Sequence, residues 1–209
     1  MAIKIVNQFY VPANDVHVKD WEAGKPFTQN KCLQLFVKYC KDKNKKFKNI
    51  LDIGAWVGTW AIEMQDFCTN KIYAYEPDPI HFECLQKNIG SNIIPKQVAI
   101  GANNGQVSLS TGDFTQGKRV IGQGNIEMLT VDSLNLKDID LIKIDVEGYE
   151  MEVLKGAIKT MKQVKYLMIE LNNNTKKYGS SNNQIERYLR KNGFKVLLNH
   201  WPDKVFVKK

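Results

Sequence analysis

The chain has 209 residues, a formal net charge of +8 and 43% hydrophobic residues. This length suits one well-buried domain, and the composition is that of an ordinary globule, which sets aside disordered, collagenous and disulfide-stapled classes. No apolar run of about eighteen residues occurs, and MAIKIVNQFY lacks the apolar stretch of a secretory leader, so no membrane partner and a cytoplasmic location are expected.

Residues 1–26 read as an N-terminal extension or cap, in which IKIVNQFYV suits one extra strand and VKDWEAGKP a loop. They are expected to cover one end of a cleft. From 27 to 43, Cys32, Leu35, Phe36 and Tyr39 recur at helical spacing, with Thr28 as the expected cap. The basic stretch KDKNKKFK at 41–48 follows, and a solvated helix end accounts for it. A buried strand is predicted at 49–53, a helix at 59–67, a strand at 71–75, a helix at 78–89 stopping at Gly90, and a strand at 93–100. Strands alternating with helices predict right-handed crossovers and a parallel sheet covered on both faces.

Between 101 and 138 the helical period is lost and glycines multiply, which reads as a β/loop insertion. GQVSLS and NIEMLTV alternate like half-exposed strands, and GDFTQGKRVIGQG at 112–124 reads as a loop or lid. The alternation resumes with a strand at 139–146, a helix around 149–160, a strand at 165–171 and a helix around 182–191. FKVLLN and KVFVKK then close the chain as a hairpin turned by HWPD. Residues 27–209 thus form one core domain, a mostly parallel seven-stranded sheet with an antiparallel C-terminal hairpin. A plain dinucleotide-binding domain has no need of that hairpin.

The stretch ILDIGAWVG at 50–58 and Glu76 in IYAYEPDP carry the chemistry. A strand runs into a glycine-bearing turn and a helix, and the next strand ends on a carboxylate able to grip both ribose hydroxyls. Glycine at Gly54 and Gly58 lets a ligand approach the backbone, and Asp52 can accept hydrogen bonds from an ammonium group. Only two glycines stand in the turn, so GxGxxG is not matched and any adenosine-type cofactor fits this pair alone. The four cysteines, Cys32, Cys40, Cys68 and Cys84, form no CxxC pair and read as reduced, buried thiols.

The block LIKIDVEGYEMEVLKGA at 141–157 resembles the most distinctive segment of the FkbM family of S-adenosylmethionine-dependent methyltransferases. LTVDSL at 129–134, MIEL at 168–171 and GFKV at 193–196 are similar to further family segments in the same order. The resemblance implies a Rossmann-like class I methyltransferase α/β fold and S-adenosyl-L-methionine as cofactor. It implies Asp52, Gly54, Ala55 and Gly58 around the amino-acid end of the cofactor and Glu76 on its ribose, with Pro77, Asp78 and Ala99 near the adenine. The family turn commonly carries asparagine where this chain has Trp56, and an indole cannot supply an amide's acceptor.

Methyl transfer to a hydroxyl requires alignment of the acceptor, exclusion of water and removal of a proton. Asp145 ends the fourth core strand at the mouth of the sheet, sharing a side with Lys143, and is placed near the methyl group. Glu147 or Glu170 is the expected proton acceptor or acceptor-positioning group. Glu147 also suits a helix start, and Glu170 is awkward to bury at the end of YLMIEL without a role. Glu150 and Glu152 read as helix surface. A hard cation held by Asp145, Glu170 and Asn172 is the less favoured alternative, and no metal is assigned.

His81 reads as surface, His17 has no motif context, and His200 lies in the closing turn. The polar run at 171–183 suits a loop that touches a polar acceptor or simply turns. The family implies O-methylation of a carbohydrate or another small polar metabolite. An RNA ribose methyltransferase using Asp145, Lys155 and Glu170 is the first competitor, although no aromatic-rich basic platform is present. A non-catalytic nucleotide-binding module is the second. The oligomeric state is left open.

Overall fold

The computed structural model of the protein describes residues 2–25, 30–110 and 120–208. Strands β1 (Ile3–Val6) and β2 (Phe9–Pro12) and helix α1 (Val18–Glu22) precede α2 (Lys31–Asp42), β3 (Phe47–Ile53), α3 (Thr59–Met64), β4 (Cys68–Tyr75), α4 (Pro79–Asn88) and β5 (Ile93–Lys96). There follow β6 (Ala99–Ile100), β7 (Gly105–Leu109), β8 (Val120–Leu129), β9 (Ile139–Ile144), α5 (Glu150–Lys155), α6 (Thr160–Gln163), β10 (Tyr166–Glu170), α7 (Asn182–Lys191), β11 (Phe194–His200) and β12 (Asp203–Lys208).

The seven-stranded sheet runs in the order β11-β12-β10-β9-β3-β4-β5. Its inner pairs are parallel, while β12 is antiparallel to both β10 and β11, as the closing hairpin predicts. Alternation along the strands sends Leu51, Ile53, Ile142 and Ile144 to one face, where α5, α6 and α7 cover them. Ile50, Leu141 and Met168 point to the other, against α2 and α3. Asp52, Lys143 and Asp145 share this second parity, so the same alternation that builds the core aligns three charged groups at one end of it.

The N-terminal segment departs from the expected single strand and loop. IKIVNQFYV folds back on itself as the β1–β2 hairpin, with Asn7 and Gln8 at positive φ, the geometry of a tight hairpin turn. VKDWE in the expected loop is helical, because Val18 and Trp21 are buried together. Thr28, the expected cap of α2, lies outside the described residues; Asn30 caps the helix by accepting from the Leu33 N–H at 2.9 Å.

Three further elements are corrected. The strand expected at 93–100 is broken: β5 ends at Lys96 in the main sheet, and β6 pairs with β8 in a separate three-stranded sheet. The helix expected at 149–160 is likewise two short helices, α5 and α6. Of the lid expected at 112–124, residues 112–119 lie outside the described residues and 120–124 belong to strand β8.

Gly54 shows why the turn after β3 requires glycine. It sits at φ +79°, and a Cβ there would lie 1.7 Å from the Asp145 carbonyl oxygen. Gly54→Ala is therefore expected to destabilise the protein by more than about 3 kcal/mol, read from denaturant midpoints. An alanine variant as stable as the parent would contradict this approach of the two strand ends.

Candidate active site

Two clefts open at the carboxyl ends of the strands and meet at Gly54, Trp56 and Asp145. The first, about 230 Å³, is walled by Tyr75, Val98 and Ile100 and carries Glu76, Pro77, Asp78 and Ala99, with Glu147 and Glu170 further along. Leu109 and Val120 of the insertion line it too, and the Tyr178 hydroxyl ties that wall down by donating to the Val120 carbonyl at 2.9 Å. The second, about 310 Å³, lies on the α2 side between Ala55, Trp60, Lys143 and Met168, with Asp203 at its edge and His17 and Trp21 from the N-terminal segment.

Glu76 is buried and organises the first cleft. Its Oε2 accepts from the Trp56 N–H at 2.8 Å and its Oε1 from the Asp78 N–H at 2.9 Å. Each oxygen keeps a further lone pair, which suits a pair of vicinal hydroxyls. Asp78 caps α4, accepting from Ile80 and His81 N–H at 2.9 and 3.1 Å, and Pro79 starts the helix. His81 is buried, not on the surface as read from sequence: its Nδ1 lies 3.6 Å from Glu76 Oε1 and its ring meets Trp56 edge-on at 6.4 Å. The first turn of α4 faces the cleft, and helical spacing alone did not show that.

Asp52 and Gly58 line neither cleft. Asp52 is fully buried, and its strand register sets it directly beside Lys143. The Lys143 Nζ lies 3.2 Å from Asp52 Oδ1 and 3.6 Å from Asp145 Oδ2, and donates to the Gly54 carbonyl at 2.5 Å. An ammonium of the chain itself thus sits where a ligand's ammonium was expected. Burial pulls the Lys143 pKa down, but Asp52 and then Asp145 outweigh it and hold it above its ordinary value. Burial pushes the Asp52 carboxyl upward, against the pull of the Lys143 ammonium. Gly58, at φ +94°, starts α3 against Leu85 and serves the backbone.

Asp145, Glu147 and Glu170 converge: one oxygen from each lies within 4.8 Å of the others. Burial first, then Asp145, Glu147, Asp203 and Glu150, raise the Glu170 carboxyl well above its ordinary range, which favours its protonated form. Glu147 is raised by burial and by Asp145, and its backbone is left-handed at φ +55°. The asparagine run props this cluster. Asn174 Nδ2 donates to Glu147 Oε2 at 3.0 Å and Asn172 Nδ2 to Glu170 Oε2 at 2.6 Å. The Asn172 oxygen accepts from the Asn174 N–H at 2.8 Å, so it is engaged in the loop and is not turned toward a cation. Three carboxylates at this spacing have the chemistry to hold a hard cation or to share a proton.

Glu150, read as helix surface, is fully buried and accepts from the Gly148 N–H at 2.9 Å. Burial raises its carboxyl to about 7. The helix expected to begin at 149 begins at Glu150 itself, whose side chain folds back into the preceding turn. Glu152 is half-buried and pairs with Lys155 at 2.6 Å; that pair leaves Lys155 exposed and outside both clefts. By sequence Asp203 is only a residue of the closing HWPD turn. Pairing of β12 with β10 sets it opposite Glu170, where Asn30 Nδ2 donates to it at 3.0 Å, and burial and Asp145 raise it to about 7. His200 is exposed and lines neither cleft.

Residues 52–196 match the methyltransferase FkbM domain. The hexuronic acid methyltransferase AglP of Haloferax volcanii is 27% identical over 57% of this chain and 54% of its own length. Methyltransferase sdnD of Sordaria araneosa is 26% identical over 59% of this chain and 66% of its own. The chain thus spans roughly half to two thirds of these relatives. Among solved structures, a methyltransferase FkbM from Methylobacillus flagellatus superposes with a TM-score of 0.56 at 20% identity, covering 77% of this chain and 43% of that one. A precorrin-6y C5,15-methyltransferase from Geobacter metallireducens gives 0.53 at 14%, covering 88% and 92%, which speaks for the fold alone. With its family segments in order on this sheet, the chain belongs to the FkbM methyltransferase family.

Proposed function

We propose that the protein is an S-adenosylmethionine-dependent O-methyltransferase acting on a hydroxyl of a carbohydrate or another small polar metabolite. The observation that carries this reading is Glu76, a buried carboxylate with a lone pair left on each oxygen, lining a cleft that ends at Asp145. The residues fit the cofactor: the apolar walls at Tyr75, Val98 and Ile100 suit a base, Glu76 a ribose, and the acidic seam at Asp145 a sulfonium. When bound, the cofactor supplies an electrophilic methyl group.

The chain's own residues do the rest. Lys143 holds Asp145 at the seam of the two clefts, where it orients the acceptor hydroxyl. Glu147, kept in place by Asn174, takes the hydroxyl proton, and Glu170, protonated, donates a hydrogen bond to the acceptor. A carbohydrate acceptor accords with the hexuronic acid methyltransferase relative. The RNA alternative is disfavoured: the cleft is lined with carboxylates, Lys155 is exposed, and Lys143 is held protonated, which removes it as a base.

Calorimetry tests the assignment. S-adenosylmethionine and S-adenosylhomocysteine are expected to bind and NAD not to, and Glu76→Ala should weaken both adenosyl ligands about 100-fold, the worth of two hydrogen bonds to a charged group. Labelled methyl transfer to pools of sugars and of RNA then separates the acceptor classes. Failure of either adenosyl ligand to bind, or unchanged binding by Glu76→Ala, would overturn the cofactor reading. Transfer to RNA alone would overturn the acceptor reading.

A further inference from the structure

The second cleft is walled by aromatic rings in series. His17 lies tilted against Trp21 at 5.6 Å between centroids, and Trp21 is tilted against Trp56 at 5.4 Å, so the N-terminal segment and the cofactor turn close one continuous wall. Trp56 is held at φ +51°, a left-handed backbone that a bulky residue adopts only at a cost of about 1–2 kcal/mol. Its indole nitrogen is buried with no hydrogen-bond partner. Neither feature is explained by folding the turn, for which a small residue is better suited.

The polar side of the same cleft is acidic in a basic protein. Asp145 and Asp203 line it, and Lys143, the sole lysine or arginine lining it among the described residues, directs its ammonium to Gly54, Asp52 and Asp145. Two carboxyls side by side offer oxygens to hydroxyl or ammonium donors and disfavour a further carboxylate. An aromatic face suits the C–H face of a saturated ring, which gains by leaving water.

We propose that the second cleft is the acceptor subsite, taking an uncharged or cationic polyhydroxylated ring that lies against Trp56 and His17 and donates its hydroxyl hydrogens to Asp145 and Asp203. This rests on the methyltransferase reading and narrows its substrate class, setting this chain apart from a uronate-methylating relative. The seam at Gly54, Trp56 and Asp145 is where such a ring meets the first cleft. It also assigns the N-terminal segment a role in choosing the acceptor.

Saturation-transfer NMR with three probes tests this: methyl glucoside, methyl glucosaminide and methyl glucuronide, each with and without S-adenosylhomocysteine. The first two are expected to bind and the glucuronide to bind at least about tenfold more weakly, a like-charge penalty. His17→Ala should weaken the glucoside about fivefold, the worth of one aromatic contact, while leaving S-adenosylhomocysteine affinity within about twofold. Trp56→Asn, which relieves the backbone strain, should weaken the glucoside about tenfold with a melting temperature no lower than the parent's. Glucuronide binding as tightly as glucoside, no ring binding at all, or a His17→Ala effect on S-adenosylhomocysteine instead of the rings would each overturn the subsite. Failure of the cofactor reading shows separately, as absent S-adenosylhomocysteine binding, because the ring probes are read without it as well.

Discussion

Asp145→Asn is expected to lower methyl transfer by about 10³-fold while leaving S-adenosylhomocysteine affinity within about threefold. Among the described residues, Asp145 is the one ionisable side chain that borders both clefts, and Lys143 holds it there at 3.6 Å. Asparagine keeps the size and most of the hydrogen bonding of the side chain and removes its charge. The acceptor hydroxyl then loses the anion that orients it, and Glu147 loses the neighbour that raises its proton affinity. A single-turnover assay with labelled methyl donor reads the chemical step without product release, and a thermal melt shows that the variant folds. A rate within about threefold of the parent would remove Asp145 from the reaction. A matched loss in cofactor affinity and rate would mark it as a binding residue only.

The second large effect concerns stability against pH. Among the described residues, each carboxyl whose pKa departs clearly from its ordinary value moves upward: Asp52, Glu147, Glu150, Glu170 and Asp203. Burial is the leading cause in every case. A group with a raised folded pKa holds its proton more tightly when folded, so its stabilisation is complete below the unfolded pKa and is lost as pH rises through the folded one. For Glu150, fully buried, the move from 4.5 to about 7 corresponds to about 3 kcal/mol across that window. The ligand-free protein should therefore melt roughly 6–12 °C lower at pH 8 than at pH 5. Glu150→Gln retains an oxygen to accept from the Gly148 N–H and cannot titrate, so it should flatten part of this slope. A melting temperature that climbs from pH 5 to pH 8 would show that these carboxyls are not buried as described.

Much of the site was readable because it rests on local pattern. Asp52, Glu76, Asp145 and Glu170 each stand at the end of an apolar run, and an apolar run ended by a carboxylate is visible in a single stretch of chain. Gly54 belongs with them, since a turn that brings two strand ends into contact excludes a side chain. Strand alternation puts Lys143 on one side with Asp145, but its pairing with Asp52 depends on the register of β3 against β9, between residues 91 positions apart in number. Asp203 faces Glu170 only because β12 turns back along β10. His81 and Glu150 carry no local mark of burial; whether a polar residue on a short helix is covered depends on what packs above it.

The alternation of strands and helices, the closing hairpin and the family segments were determined by the amino-acid sequence alone, because hydrophobic period and turn chemistry act over a few residues. Only the tertiary structure decided that the strand expected at 93–100 divides between two sheets, that an internal ammonium occupies the place expected of a ligand, and that the N-terminal segment walls a second cleft. Each of these depends on contacts between distant segments. In a buried setting, the free energy of a charge or an unpaired amide is set by neighbours that the local sequence does not name.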